Sequence, residues 1–166
     1  MSVISSYFEE TNILQNKYGQ NSLVLMMVGS FYEVYAYKNE LTGEIYGSNI
    51  ETFSKICDMK ISPKSGLNAK KSSECVLMAG FPEYQLEKYL SRLQEHGMTI
   101  AIVNQTKLPD GKITRKVEAL CSPGTHFSLD ETSTLSNVVM CIRLYRKEPS
   151  TYNPQDKLIM GMASLD

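Results

Sequence analysis

Residues 23 to 28 read Leu-Val-Leu-Met-Met-Val, an unbroken apolar run too short for an ordinary helix, and Gly29 follows at once. Such a run suits a β-strand buried on both faces. Gly29-Ser30 breaks or bends it. Beyond the break, Phe31 to Tyr37 is rich in aromatic and β-branched residues. Strand alternation would put Phe31, Glu33, Tyr35 and Tyr37 on one face, with Tyr32, Val34 and Ala36 on the other. On periodicity alone this is an amphipathic strand with Phe31 in the core and Glu33 in water. A Phe just after a Gly-Ser break can also stand at a strand end and project. The residues alone leave both placements open.

Upstream, Ile4, Tyr7, Phe8, Thr11, Leu14 and Tyr18 recur at helical spacing, Ser6-x-x-Glu9 resembles a capping box and Gly19 would end the helix. Downstream, Lys38 to Asn49 turns to Gly, Asn and Glu, and Ile50, Phe53, Ile56 and Cys57 fit a short helix. Ser62 to Ser73 reads as a polar loop carrying Lys64, Lys70 and Lys71. A strand from Cys75 to Met78 meets Pro82, which sits where a first-turn proline belongs. Leu86, Tyr89, Leu90 and Leu93 then line a helix that Gly97 would cap. With a second apolar strand, Met98 to Val103, this predicts a β-α-β unit with parallel strands and a right-handed crossover. Pro109-Asp110-Gly111 is turn chemistry, and Ile113 to Leu120 can return as an antiparallel partner. Ser128 to Ser136 reads as a linker. Val138 to Tyr145 and Leu158 to Ala163 read as two strands joined by a polar loop, with no helix after them. Because a two-stranded unit is marginal alone, the chain is expected to be cut from a longer protein, ending inside a second domain.

Composition narrows the function classes. Among 166 residues, 17 Lys and Arg face 18 Asp and Glu, a net charge of −1, so no broad basic surface exists and any nucleic-acid contact must be local. The apolar fraction of 42% is that of a globular protein, and no apolar run approaches the ~18 residues of a membrane helix. The four cysteines, Cys57, Cys75, Cys121 and Cys141, form no C-x-x-C pair, and His96 and His126 stand at no ligand spacing from them, which argues against zinc. Without a secretion signal at the N-terminus, four reduced thiols in an intracellular compartment is the expectation. Lys70-Lys71-Ser72 lacks the glycine a phosphate loop needs before its lysine, and Asp58, Glu74 and Glu83 are scattered. No catalytic residue set emerges, and the chain is expected not to be an enzyme.

Five ordered blocks carry a family resemblance. Val28-Gly29-Ser30-Phe31-Tyr32-Glu33-Val34-Tyr35 resembles the G-D-F-Y-E-[LM]-[FY] segment of MutS mismatch-repair proteins, with Ser30 where the family usually has Asp. Met78-Ala79-Gly80-Phe81-Pro82 resembles M-A-G-[VI]-P, and Tyr89-Leu90-Ser91-Arg92-Leu93 resembles Y-L-x-[RK]-L. Gly97 to Gln105 is similar to G-x-x-V-A-[IV]-x-[ED]-Q. Arg115-Lys116-Val117 and Ser122-Pro123-Gly124-Thr125 are similar to R-[EK]-V and T-P-G-T. Glu83-Tyr84-Gln85 departs from the Tyr-His that follows the family proline. Residues 137 to 166 resemble the opening hairpin of the family's connector domain. The Val-Gly-Ser-Phe-Tyr-Glu form and the Lys38 to Asn49 insertion suggest the branch found in giant viruses and coral mitochondria, so a mitochondrial or viral replication compartment is one expectation.

The resemblance implies an α/β fold, a mixed β-sheet flanked by helices, followed by the opening strands of a second α/β domain. It divides the chain into a mismatch-recognition domain (1–125), a linker (126–136) and the start of a truncated connector (137–166). It implies DNA mismatch recognition by minor-groove insertion of a Phe-x-Glu motif, with Phe31 as wedge and Glu33 as discriminator. Lys64, Lys70, Lys71, Arg115 and Lys116 are the candidate phosphate contacts. The implied partner is double-stranded DNA with mispairs or small loops, bound by a full-length homodimer that uses ATP and Mg through domains absent here. The alternative is a protein-interaction module of a relative acting in recombination.

Overall fold

The computed structural model describes residues 2–64, 73–109, 111–123, 139–147 and 157–165. These residues belong to two units, Met1–His126 and Phe127–Asp166. The expected linker, 126–136, lies outside the described residues, as do Lys70 and Lys71.

In the first unit, helix α1 (Val3–Tyr18) precedes strands β1 (Ser22–Val28), β2 (Phe31–Asn39) and the short β3 (Ile45–Tyr46). Helix α2 (Ile50–Cys57), edge strand β4 (Ser62–Pro63) and β5 (Glu74–Pro82) follow. A 3-10 turn (Glu83–Gln85) then leads into α3 (Leu86–Glu95), β6 (Thr99–Lys107) and β7 (Ile113–Cys121). One seven-stranded sheet orders them β4-β5-β2-β1-β6-β7, with β3 beside β2. The sheet is mixed: β1 pairs parallel with β6 and antiparallel with β2, and β5 and β7 pair antiparallel with β2 and β6. The α/β fold with helices flanking a mixed sheet is therefore the one expected.

The apolar run occupies the middle of this sheet. Leu23, Val24, Leu25 and Met26 are all buried, as a strand covered on both faces requires. Tyr35 meets Tyr7 of α1 edge-on at 5.1 Å, so α1 covers the face that Glu33 and Tyr35 share by alternation. On the opposite face Phe81 packs against Tyr32, Phe53 of α2 and Tyr89 of α3 at 6.0, 6.1 and 4.6 Å. Where β1 and β2 diverge, side chains replace the ladder. Ser48 Oγ donates to the Tyr35 carbonyl at 2.5 Å, and Asn49 Nδ2 donates to Ser22 O at 3.0 Å.

Three expectations are corrected. The cap of α1 is Ser2, whose hydroxyl accepts from Ser5 N at 3.1 Å, and Ser6 lies inside the helix. The apolar pattern begins at Ile4, so the cap must precede it. Pro82 is the last residue of β5, in extended conformation with ψ of 145°, and the turn that follows separates it from α3. Strands β5 and β6 run in the same direction but are not neighbours, because β1 and β2 stand between them. The end of α3 is as expected: Gly97 adopts a φ of +73°, its N–H donates to Gln94 O at 2.8 Å, and Met98 N–H donates to Leu93 O at 3.1 Å.

In the second unit, β8 (Val139–Lys147) and β9 (Lys157–Leu165) form an antiparallel hairpin. Ile142 lies opposite Met162 and Leu144 opposite Met160, making one of its faces strongly apolar.

Two predictions follow from packing. A β-carbon on Gly80 would stand 2.5 Å from the Tyr32 carbonyl oxygen, so Gly80→Ala should cost about 1–3 kcal/mol in denaturant unfolding. Burial pushes the Cys57 thiol up from 9.0 to about 11, against the lowering influence of Arg92. Between these values the unfolded chain loses a proton that the folded chain keeps. Stability should therefore fall as pH rises through that window, by up to ~1.4 kcal/mol per pH unit, and Cys57→Ala should flatten the slope.

Candidate nucleic-acid interface

The tip of the β1–β2 hairpin gathers most of the residues of interest. Val28 pairs with Phe31 across a two-residue turn, Gly29-Ser30, in which Gly29 takes a φ of +62° at the first central position. That is the geometry a tight hairpin matching the strand twist demands, and a β-branched or bulky residue there would be strained. The turn is held from both sides. Gln105 of β6 donates from Nε2 to Gly29 O at 2.9 Å and accepts from Gly29 N at 3.3 Å. Glu83 N–H donates to Ser30 O at 2.9 Å. Phe31 lies opposite Pro82 in the register and is 47% exposed. The ring therefore stands at the strand end, outside the core cluster.

Glu33 is one pleat further along the same face and only 9% exposed. Its carboxylate accepts from the Tyr35 hydroxyl and pairs with Lys64 Nζ at 2.7 Å. Burial pushes the Tyr35 hydroxyl up, as do the hydrogen bond to Glu33 and the charge of Glu33, while Arg115 opposes the shift. Tyr35 accordingly remains a neutral donor to Glu33. The residue opposite Glu33 on β5 is Gly80, which leaves the neighbouring position on that face without a side chain.

The candidate cations divide. Lys64 follows edge strand β4 and its ammonium also stands 5.5 Å from the Tyr35 ring centroid. Arg115, opposite Gln105 on β7, is half-buried on the Glu33 face, where its Nε donates to Met27 O at 3.3 Å. Its outer nitrogen lies 3.5 Å from Gln105 Oε1. Arg115 thus braces the hairpin through Nε and one outer nitrogen. Lys116 is exposed on the opposite face, across from Asn104, which accepts from Tyr32. An open cleft of about 840 Å³ beside Phe31 is lined by Tyr84, Glu83 and Glu87 among others. Its carboxylates disfavour a phosphate chain on that side of the ring.

Composition and periodicity did not single out Tyr35, Gln105, Gly80 or Tyr84. Tyr35 was legible as the same-face neighbour of Glu33. Gln105 and Gly80 sit inside the matched blocks, where only the register reveals their roles. Tyr84, 83% exposed, carries no pattern of its own.

Residues 12–130 match the family model described as MutS domain I. The chain belongs to this family. It is similar to "DNA mismatch repair protein MutS 1" of Halobacterium salinarum, with 31% identity over 62% of this chain and 10% of the relative. It is also similar to "DNA mismatch repair protein MutS" of Cytophaga hutchinsonii (28%, over 72% of this chain and 12% of the relative) and of Christiangramia forsetii (27%, over 83% and 14%). The chain thus spans 10 to 14% of the length of these relatives. As a MutS domain I chain, it presents Phe31 at the hairpin tip with Glu33 drawn back behind it.

The two aromatic positions at this end should respond differently to truncation. Phe31→Ala should cost about 1 kcal/mol or less, as at a surface site, whereas Phe81→Ala in the core should cost about 3–5 kcal/mol in the same unfolding assay.

Proposed function

We propose that this chain is the mispair-sensing part of an ATP-dependent DNA mismatch repair protein of the MutS type. In this reading Phe31 enters a base step from the minor groove and Glu33 acts beside it as discriminator. The observation that carries the reading is the exposed Phe31 ring next to a two-residue turn that is hydrogen-bonded on both sides. A ring mounted this stiffly can wedge a step open without folding back. Mispaired steps cost less to open than paired ones, so the energy of deformation is itself the specificity. Lys64 and Arg115, on the Glu33 face, supply phosphate contacts, with Lys70 and Lys71 as further candidates from the sequence, and Lys116 on the other face of the sheet is left out of this set. Glu33 disfavours matched duplex and recovers that cost by hydrogen bonding to a displaced base.

The partner is double-stranded DNA carrying a mispair or small loop, inside the cell, and the full-length protein acts as a homodimer. Among the described residues no three His, Cys, Asp or Glu side chains gather as a metal site. We assign ATP and Mg²⁺ to other parts of the full-length protein and no catalytic step to this chain, as the family resemblance of its sequence implies.

The test is a fluorescence anisotropy titration of a matched duplex and of the same duplex with one mispair. Wild type should prefer the mispair, and Phe31→Ala, with unchanged circular dichroism, should bind both alike. A variant that still prefers the mispair withdraws the wedge. A wild type with no preference favours the protein-interaction alternative.

A further inference from the structure

Glu33 is nine-tenths buried and, among the described residues, carries its charge against the Lys64 ammonium. A carboxylate so placed must keep a donor or leave the interior. Lys64 is fixed at its main chain, where its N–H donates to Val76 O at 2.8 Å. Its side chain remains 24% exposed, close enough to solvent for an external anion to compete. Arg115, the other cation on this face, is tied to Met27 and Gln105 and does not replace it.

Resting on the mispair-sensing reading above, we propose that Lys64 is the positioning residue for Glu33. In the free protein its ammonium and the Tyr35 hydroxyl hold the carboxylate back and neutralise it. At a mispair Lys64 exchanges that carboxylate for a DNA phosphate, and Glu33 turns toward the base beside Phe31. Phosphate is available to Lys64 on any duplex, but a displaced base is available to Glu33 only at a mispair. The exchange is therefore balanced only there. On matched DNA the pair stays closed and softens, without removing, the repulsion that Glu33 exerts.

Loss of Lys64 leaves Glu33 held by the Tyr35 hydroxyl alone, with its charge uncompensated. Lys64→Met should then weaken matched binding through uncompensated repulsion. It should weaken mispaired binding less, since the lost phosphate contact is partly offset by a release that no longer has to occur. The ratio of mispaired to matched affinity should rise about fivefold, return toward wild type in Lys64→Arg, and be insensitive to Lys64→Met in a Glu33→Gln background. The same anisotropy titrations on the full 166-residue chain read all of this.

Equal weakening on both duplexes in both backgrounds would make Lys64 a plain phosphate contact, and an unchanged or reduced ratio would make the pair a bystander. Either result overturns the latch while wild-type mispair preference survives. Absence of that preference in wild type sinks the underlying reading and the latch together. If Lys64→Met fails to fold, the Lys64 ε-methylene resonance of the wild-type chain decides. It should shift on adding mispaired duplex and stay in place on adding matched duplex, and a shift with both or with neither overturns the latch.

Discussion

The sheet is organised around a hairpin that has no exposed face along most of its length. Because β1 is apolar at every position after Ser22, it can be stable only with a layer on each side, and α1 supplies one while α2 and α3 supply the other. That demand also determines where β5 and β6 go. Each must flank the hairpin, so the helix linking them crosses two strands instead of joining neighbours. A hairpin clamped this way presents a stiff tip, and its last turn is tied to β6 by Gln105 and to the Pro82 corner by Glu83.

Electrostatics is organised around the same tip. With a net charge of −1 over the whole chain, attraction to a polyanion must come from placement, not from total charge. Lys64 and Arg115 lie on the Glu33 face, while Glu83 and Glu87 line the cleft next to Phe31 and Lys116 is exposed on the opposite face, so both signs of charge surround the tip. Lys64 and Arg115 already have protein partners, which limits how much non-specific attraction they lend. In the proposed function, weak general binding suits a protein that must find rare sites along a long duplex.

Helix α3 was readable because three kinds of signal coincide there: apolar residues on one face, a proline before the start and Gly97 after the end. The same proline misled about the boundary, since a proline suits the end of a strand as well as the start of a helix, and only the pairing with Phe31 decides between them. For α1, Ser2 and Ser6 are equivalent by residue type, and the buried Ile4 separates them. The two open placements of the Phe31 strand resolved in a mixed way. Phe31 stands out from the core, but Glu33 is not in water, because α1 covers the face that alternation assigned to it. Its ion-pair partner is 31 residues away on the far side of β5, a distance across which periodicity carries no information. Strand order was illegible for the same reason, since adjacency is decided by which faces need covering.

Phe31 and Glu33 answer different physical questions although they occupy one face of one strand. An apolar ring at a strand end needs no partner to remain exposed, so its position is maintained by backbone alone and it meets every duplex in the same way. A charge nine-tenths buried is held only as long as its donors stay, so its position depends on what else those donors can bind. In the proposed function the ring senses how easily a base step opens, which is a mechanical property of the DNA. In the same proposal the carboxylate senses whether an opened step offers a hydrogen-bond partner, which is a chemical one. Two tests in series reject a step that is merely flexible, and a site that needs both must keep its wedge outside and its charge within.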